Sequence, residues 1–218
     1  MQFTRLMYDK EIFIALASVI NEESSGNRDE SLVFGNVIMN FIKDGGSLGK
    51  NNPLKLKTLE DVTLYKNSFV RGAKQSAYSE FCSKNWNERN SESAIESAIN
   101  AIGYFQGLNG FSDYSEGANT WDGKDLVMAS WPNSHRTYKW SESSKPLLAK
   151  YISLVGTPRK TSKGIKSIKT INIDDFSFSS TNKSVQIQAC RIVGLTLFTK
   201  LLTGRGEGKD KKHPERFR

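Results

Sequence analysis

Apolar residues near the start of the chain recur at the three-to-four-residue step of an α-helix. Short polar interruptions cut this pattern into helix-length pieces. Ile12, Phe13, Leu16, Val19 and Ile20 fall at i, i+3/i+4 and i+7 spacing, which predicts a helix from about Asp9 to Glu22 with one buried face. Glu22-Glu23-Ser24-Ser25-Gly26 then stops helix propagation. Asn27-Arg28-Asp29-Glu30 has the form of a capping box, opening a second helix that reaches to about Asp44. Val33, Val37 and Phe41 supply its stripe, and Gly45-Gly46 end it. The N-terminal part is therefore expected to be an αα-hairpin with Glu23 at the joint.

Further along, Ser47 to Asn67 reads as loop, with a short helix after Thr58, and Ser68 to Ser83 as helical or irregular around Gly72. Ser93-Ala94-Ile95-Glu96 has capping-box form and predicts a third helix to Gln106, with Ala94, Ile95, Ala98, Ile99, Ile102 and Phe105 as its apolar stripe. Asn109 to Trp140 interleaves glycine, aromatic and short polar residues without helical period, the pattern of a binding loop. A helix over Lys145–Val155 follows. Lys169-Thr170-Ile171-Asn172-Ile173 and Ser184-Val185-Gln186-Ile187-Gln188 alternate like half-buried strands, and periodicity leaves Ile192 to Leu202 unassigned. The expected organisation is one domain over residues 1–204 and a basic, disordered tail over 205–218.

Composition narrows the function classes. Apolar residues are 37% and charged residues 25% of the 218, a globular balance. The longest apolar run, Ile12 to Ile20, falls short of the roughly 20 residues a membrane span needs. The opening Met1–Glu11 meets charges too soon for a secretory signal, so synthesis in the cytoplasm without such a signal is expected. The net charge of +8 favours an anionic partner: nucleic acid, a membrane surface or an acidic wall polymer. That charge is concentrated in Arg159 to Lys169, with five cations and no acid, and in the tail, with six cations against three acids.

Cofactor chemistry finds little footing. Phosphate loops, zinc helices and nucleophile elbows are missing from the sequence, and two histidines, His135 and His213, cannot build a multi-histidine metal site. Neither metal nor cofactor is expected. Cys82 and Cys190 give no metal spacing and leave both unlinked thiols and a single bridge open. Cys82 with His135 is the one thiol–imidazole pair available, without an oxyanion turn around it.

Carboxylates and aromatics carry more. A glutamate at a helix end beside apolar neighbours, as at Glu22 or Glu23, suits general acid catalysis; two solvated helix-terminating glutamates would read the same. Phe111 to Gly123 alternates aromatic side chains with carboxylates, amides and hydroxyls. Tyr114 and Trp121 suit the flat faces of sugars, and Asp113, Asn119 and Asp122 their hydroxyls, although an aromatic loop packed under the domain has the same composition.

Leu16-Ala-Ser-Val-Ile20-Asn-Glu-Glu23-Ser-Ser-Gly26, with Glu30 and Gly35-Asn-Val-Ile-Met-Asn40 after it, is similar to the cell wall hydrolase family typified by spore-cortex-lytic enzymes. Alignment on Gly26 puts the family's catalytic glutamate at Glu23; ungapped alignment on Asn40 puts it at Glu22, and the local match favours Glu23. Ala98 to Gly123 resembles the second signature, with Asp113, Gly117, Ala118 and Trp121 on its positions. Gly72-Ala-Lys-Gln75-Ser76-Ala-Tyr78 resembles a softer third segment, and Arg191 to Lys200 a closing one. Phe41 replaces the family's arginine, and Trp121-Asp122-Gly123 its histidine-rich ending.

The resemblance implies a mainly α fold: a lysozyme-like helical domain with a few short strands near the C-terminus. It implies cleavage of peptidoglycan glycan strands between N-acetylmuramic acid and N-acetylglucosamine, with Glu23 as general acid. Attack by the muramic acid 6-hydroxyl would make the protein a lytic transglycosylase. Attack by water, helped by Asp113 or Asp122, would make it a muramidase. Tyr114, Asn119 and Trp121, with Gln75, Tyr78 and Asp122, are the expected substrate contacts. A wall substrate without a secretory signal points to a phage lysin, or to an effector injected by a machine such as type VI and opposed by a cognate immunity protein. The rival reading is a non-enzymatic binder of nucleic acid or another polyanion, or a phage structural protein, using residues 159–169 and the tail. Interleaved aromatic and basic residues that would favour nucleic acid are lacking.

Overall fold

A computed structural model describes residues 10–24, 27–43, 89–131, 134, 138–156 and 186–202. The chain divides into two compact units, Met1–Gly117 and Ala118–Arg218.

The first unit is helical in its described residues. α1 spans Lys10–Glu23, α2 Arg28–Lys43 and α3 Arg89–Phe105. α1 and α2 end close to where the apolar period places them, but their burial is not one-sided. Every residue from Phe13 to Ile20 and from Glu30 to Phe41 is buried, so both helices are enclosed on all faces. Asn27 caps α2 as expected, its Oδ1 accepting from the Asp29 amide at 2.9 Å and the Glu30 amide at 3.4 Å.

α3 departs from expectation twice. It begins at Arg89, so Ser93 lies inside the helix and does not cap it. Its inward face is made of small residues: Ala94, Ser97, Ala98 and Ala101 are buried, whereas Ile99 and Phe105 are exposed. The reason is the close approach of α2. A Cβ at Gly35 would stand 2.4 Å from Ser97 Oγ, 2.9 Å from the Ser97 carbonyl and 3.1 Å from Ala101 Cβ. Only small side chains fit between backbones at that separation. Paired contacts ascend together along the two helices, Arg28 with Glu96, Ser31 with Ser97 and Asn36 with Asn100, so they run in the same direction. α3 ends in a Schellman turn. The Leu108 amide reaches the Gly103 carbonyl and the Gly107 amide the Tyr104 carbonyl, with Gly107 at φ 69°.

The second unit overturns the expected mainly α, lysozyme-like fold. It holds a four-stranded mixed sheet, and the chain is a mixed α/β protein. β1 (Thr120–Gly123), β2 (Lys139–Trp140), β3 (Gln186–Val193) and β4 (Thr196–Leu202) stand in the order β1-β4-β3-β2. β1 and β3 flank β4 antiparallel, and β2 joins β3 parallel. The run left unassigned at Ile192–Leu202 is the end of β3, a hairpin turn at Gly194-Leu195 and β4. The expected 109–140 loop contains β1, β2 and a short helix, α4 (Lys124–Ser130). These pairings join residues up to about eighty positions apart, and such long-range partners leave no local period to read. The expected strand at Lys169–Ile173 and the tail at 205–218 lie outside the described residues.

α5 (Lys145–Val155) lays Leu148 and Tyr151 against Val127, Trp131, Trp140, Ile187, Ala189 and Leu197 to make this unit's core. The Ser144 hydroxyl, just before α5, accepts the Ala189 amide at 2.9 Å. Cys190 is the extra residue of a bulge in β3 between Ala189 and Arg191, and its Sγ donates to the Gln188 carbonyl at 3.6 Å. Cys82 lies outside the described residues.

Two predictions follow from this packing. Gly35→Ala should destabilise the protein by about 1–3 kcal/mol, because the Ser97 backbone cannot retreat from the new methyl; chemical denaturation measures it. Burial, reinforced by the charges of Asp122 and Asp125, pushes the Tyr151 phenol above its ordinary value. A phenol raised on folding contributes its full stability below the unfolded value near 10 and loses it as pH rises beyond. Thermal melts should therefore fall between about pH 10 and 11 in the wild type, and fall less in Tyr151→Phe.

Candidate functional site

Glu23 is the last residue of α1 and half-buried, whereas Glu22 beside it is exposed. The helix end is tied down on both sides. The Ser24 amide donates to the Ile20 carbonyl at 2.9 Å, and Ser31 Oγ donates to Ser24 Oγ at 3.0 Å. Ser31 is in turn held to α3, since Ser97 Oγ donates to the Ser31 carbonyl. Glu23 thus stands on a joint braced by all three helices. At the same end of α2, Arg28 makes a two-bond ion pair with Glu96 of α3, and Glu30 is buried.

The loop after α3 is pinned across α2 and α3 by buried asparagines. Asn100 donates through Nδ2 to the Ser112 carbonyl at 2.9 Å and accepts the Ser112 amide on Oδ1 at 3.2 Å. Asn36 Oδ1 accepts from Asn100 Nδ2 at 3.2 Å and from the Tyr114 amide at 3.0 Å. Asn40 Nδ2 donates to Ser115 Oγ at 2.9 Å and to Asp113 Oδ2 at 3.3 Å. Asn36 Nδ2 is buried and has no hydrogen-bond partner among the described residues. The amide nevertheless has to face this way, because the Tyr114 N–H needs an acceptor.

Asp113 lies at the centre of that loop. Its Oδ1 accepts from the Ser115 amide at 2.8 Å and from the Ser115 hydroxyl; its Oδ2 accepts from the Gly117 amide at 3.0 Å as well as from Asn40. These four bonds form an Asx turn that supports the left-handed conformations of Glu116, φ 55°, and Gly117, φ 79°. The carboxylate is a brace for the loop. Asn40, which carries it, is nine residues beyond Ser31, or about 13 Å along α2. Tyr114, on the same loop, is 37% exposed.

The other expected contacts divide by position. Asn119, Trp121 and Asp122 belong to the second unit. Asn119 is buried and extends the sheet, its amide donating to the Thr199 carbonyl and its Oδ1 accepting the Leu201 amide. Trp121 pairs with Phe198 and Asp122 with Leu197, so strand alternation sends the two side chains to opposite faces of the sheet. Trp121 is half-buried and Asp122 buried. Gln75, Tyr78, His135 and the basic stretch at 159–169 lie outside the described residues. Among the described residues, no three His, Cys, Asp or Glu side chains group as a metal site would require, and no helix is long and apolar enough to cross a membrane.

Sequence reasoning missed Asn36, Asn100, Arg28 and Glu96 as parts of this region. A signal was present for the asparagines. Asn36 and Asn40 are one turn apart among the apolar residues of α2, and a polar residue at that spacing inside a buried helix needs a partner. Comparisons with protein-family models, curated proteins and solved structures found no match.

Asn36→Ala should cost about 1–3 kcal/mol, because two buried donors, the Tyr114 amide and Asn100 Nδ2, lose their acceptor together. Amide hydrogen exchange should rise at Tyr114 and Ser112, while the amides of the second unit keep their protection.

Proposed function

We propose that this protein cleaves the glycan strands of peptidoglycan, with Glu23 as its general acid, and that it works as a lytic transglycosylase. The observation that supports it most is the environment of Glu23. Glu23, half-buried, ends a helix whose residues 13–20 are all buried, on a joint that neighbouring helices hold in place. A carboxyl group so placed is positioned to donate to a glycosidic oxygen. The similarity to spore-cortex-lytic-type hydrolases around Glu23 and Asn40 points the same way.

Asp113 guides the choice between outcomes. Its carboxylate is engaged by four donors and hangs from Asn40, about 13 Å along α2 from the serine pair beside Glu23. A mechanism with a single carboxyl group needs no second carboxylate from the loop. Glu23 gives its proton to the bridging oxygen as the C1–O bond breaks. The resulting carboxylate takes the proton of the muramic acid 6-hydroxyl, whose oxygen closes on C1 to give the anhydro sugar. Tyr114 remains the proposed sugar-stacking side chain. Action at a cell wall also calls for a protein inhibitor wherever producer and enzyme meet.

Mass spectrometry of soluble fragments from purified peptidoglycan tests this. The wild type should release anhydro-muropeptides and Glu23→Gln none. Reducing muramic acid ends would replace transglycosylation by hydrolysis. Intact sacculi from both proteins would overturn the reading.

A further inference from the structure

Arg28 is the first residue of α2, and its side chain is 59% exposed although it is fixed in place. Glu96 of α3 takes its Nε and one hydrogen of Nη2 in a two-bond pair. Those two bonds occupy the side-on fork of the guanidinium. Its end-on fork, formed by one Nη1 hydrogen and the remaining Nη2 hydrogen, has no partner among the described residues. A guanidinium has five donors, and a second carboxylate can seat on that fork with two parallel bonds.

The surroundings suit a ligand better than a structural role. An exposed ion pair adds little to stability. The pair nevertheless links the starts of two helices beside the joint that carries Glu23: Arg28 is one turn before Ser31, whose hydroxyl bonds Ser24. The Tyr114 phenol lies close enough to act on the Arg28 charge. Glu96, first by hydrogen bonding and then by charge, holds the guanidinium firmly in its charged form. A fixed cation and the proposed acid therefore share one end of the helix pair.

Resting on the function proposed above, we propose that the end-on fork of Arg28 is a carboxylate-binding subsite. It would select the acidic sugar of the glycan strand, through either the lactyl carboxylate of muramic acid or the carboxylates of its stem peptide. Glu96 is its positioning residue, holding the fork outward. Discrimination would come from charge pairing that N-acetylglucosamine cannot offer.

The test uses the full chain and three probes: N-acetylglucosamine, N-acetylmuramic acid and muramyl dipeptide, titrated by NMR. The wild type should bind at least one carboxylate-bearing probe more tightly than N-acetylglucosamine, with the Arg28 Nε resonance shifting on binding. The better acidic probe identifies the source of the carboxylate. Arg28→Gln should lower that affinity roughly threefold to tenfold and leave N-acetylglucosamine unchanged; Arg28→Lys should recover part of it. Glu96→Gln should weaken the acidic probe alone. Equal affinity for acidic and neutral probes in the wild type would overturn the subsite, as would an acidic preference that persists in Arg28→Gln. The mass-spectrometric result with Glu23→Gln is independent of either, so loss of the subsite and loss of the proposed activity are told apart.

Discussion

The close approach of α2 and α3 at Gly35 sets the geometry of the first unit. With no Cβ at that position, Ser97 and Ala101 come within a distance that any other residue would prevent. Asn36 and Asn100 can then share a hydrogen bond at 3.2 Å. Through that pair the two helices together hold the loop bearing Ser112, Asp113 and Tyr114. A wider separation would leave several buried polar groups without partners, at a cost of about 1–3 kcal/mol each. The geometry of the loop is thus a consequence of helix packing more than of its own turn residues.

Polar groups inside this unit are unusually central. Ser31, Asn36, Asn40, Ser97 and Asn100 are all buried, and together they connect three helices to one loop. Such a network is rigid when its members are satisfied, and each lost partner is felt by its neighbours. The same network engages Asp113. A carboxylate that accepts two backbone amides, a hydroxyl and an asparagine holds the shape of the loop. At the opposite end of α2, the Arg28–Glu96 pair does for a cation what the asparagines do for the loop: it removes conformational freedom from a group that faces outward.

Much of the first unit was legible in the sequence. The apolar period and the Asn27 cap located α1 and α2, because helix periodicity and capping are local properties. The same reasoning placed Glu23 at a helix end. It misjudged α3, where Ile99 and Phe105 completed a convincing stripe but face outward. Hydrophobicity alone cannot show that a neighbouring glycine has reserved the inner face for alanine and serine. In the second unit, Trp121-Asp122 looked like one binding loop and is a strand that sends its two side chains to opposite faces.

The sequence by itself determined where helices start and stop near the N-terminus and where the surplus positive charge lies. These are properties of neighbours within a few residues or of simple composition. Tertiary structure alone decided that β1 lies against β4 and β2 against β3, that Asp113 braces a loop, and that Arg28 is gripped from one side by Glu96. The strand pairings, the Asn40–Asp113 bond and the Arg28–Glu96 pair join residues between 45 and 80 positions apart. Such contacts form because burial and hydrogen-bond satisfaction are decided over a whole compact unit, and no local period records them.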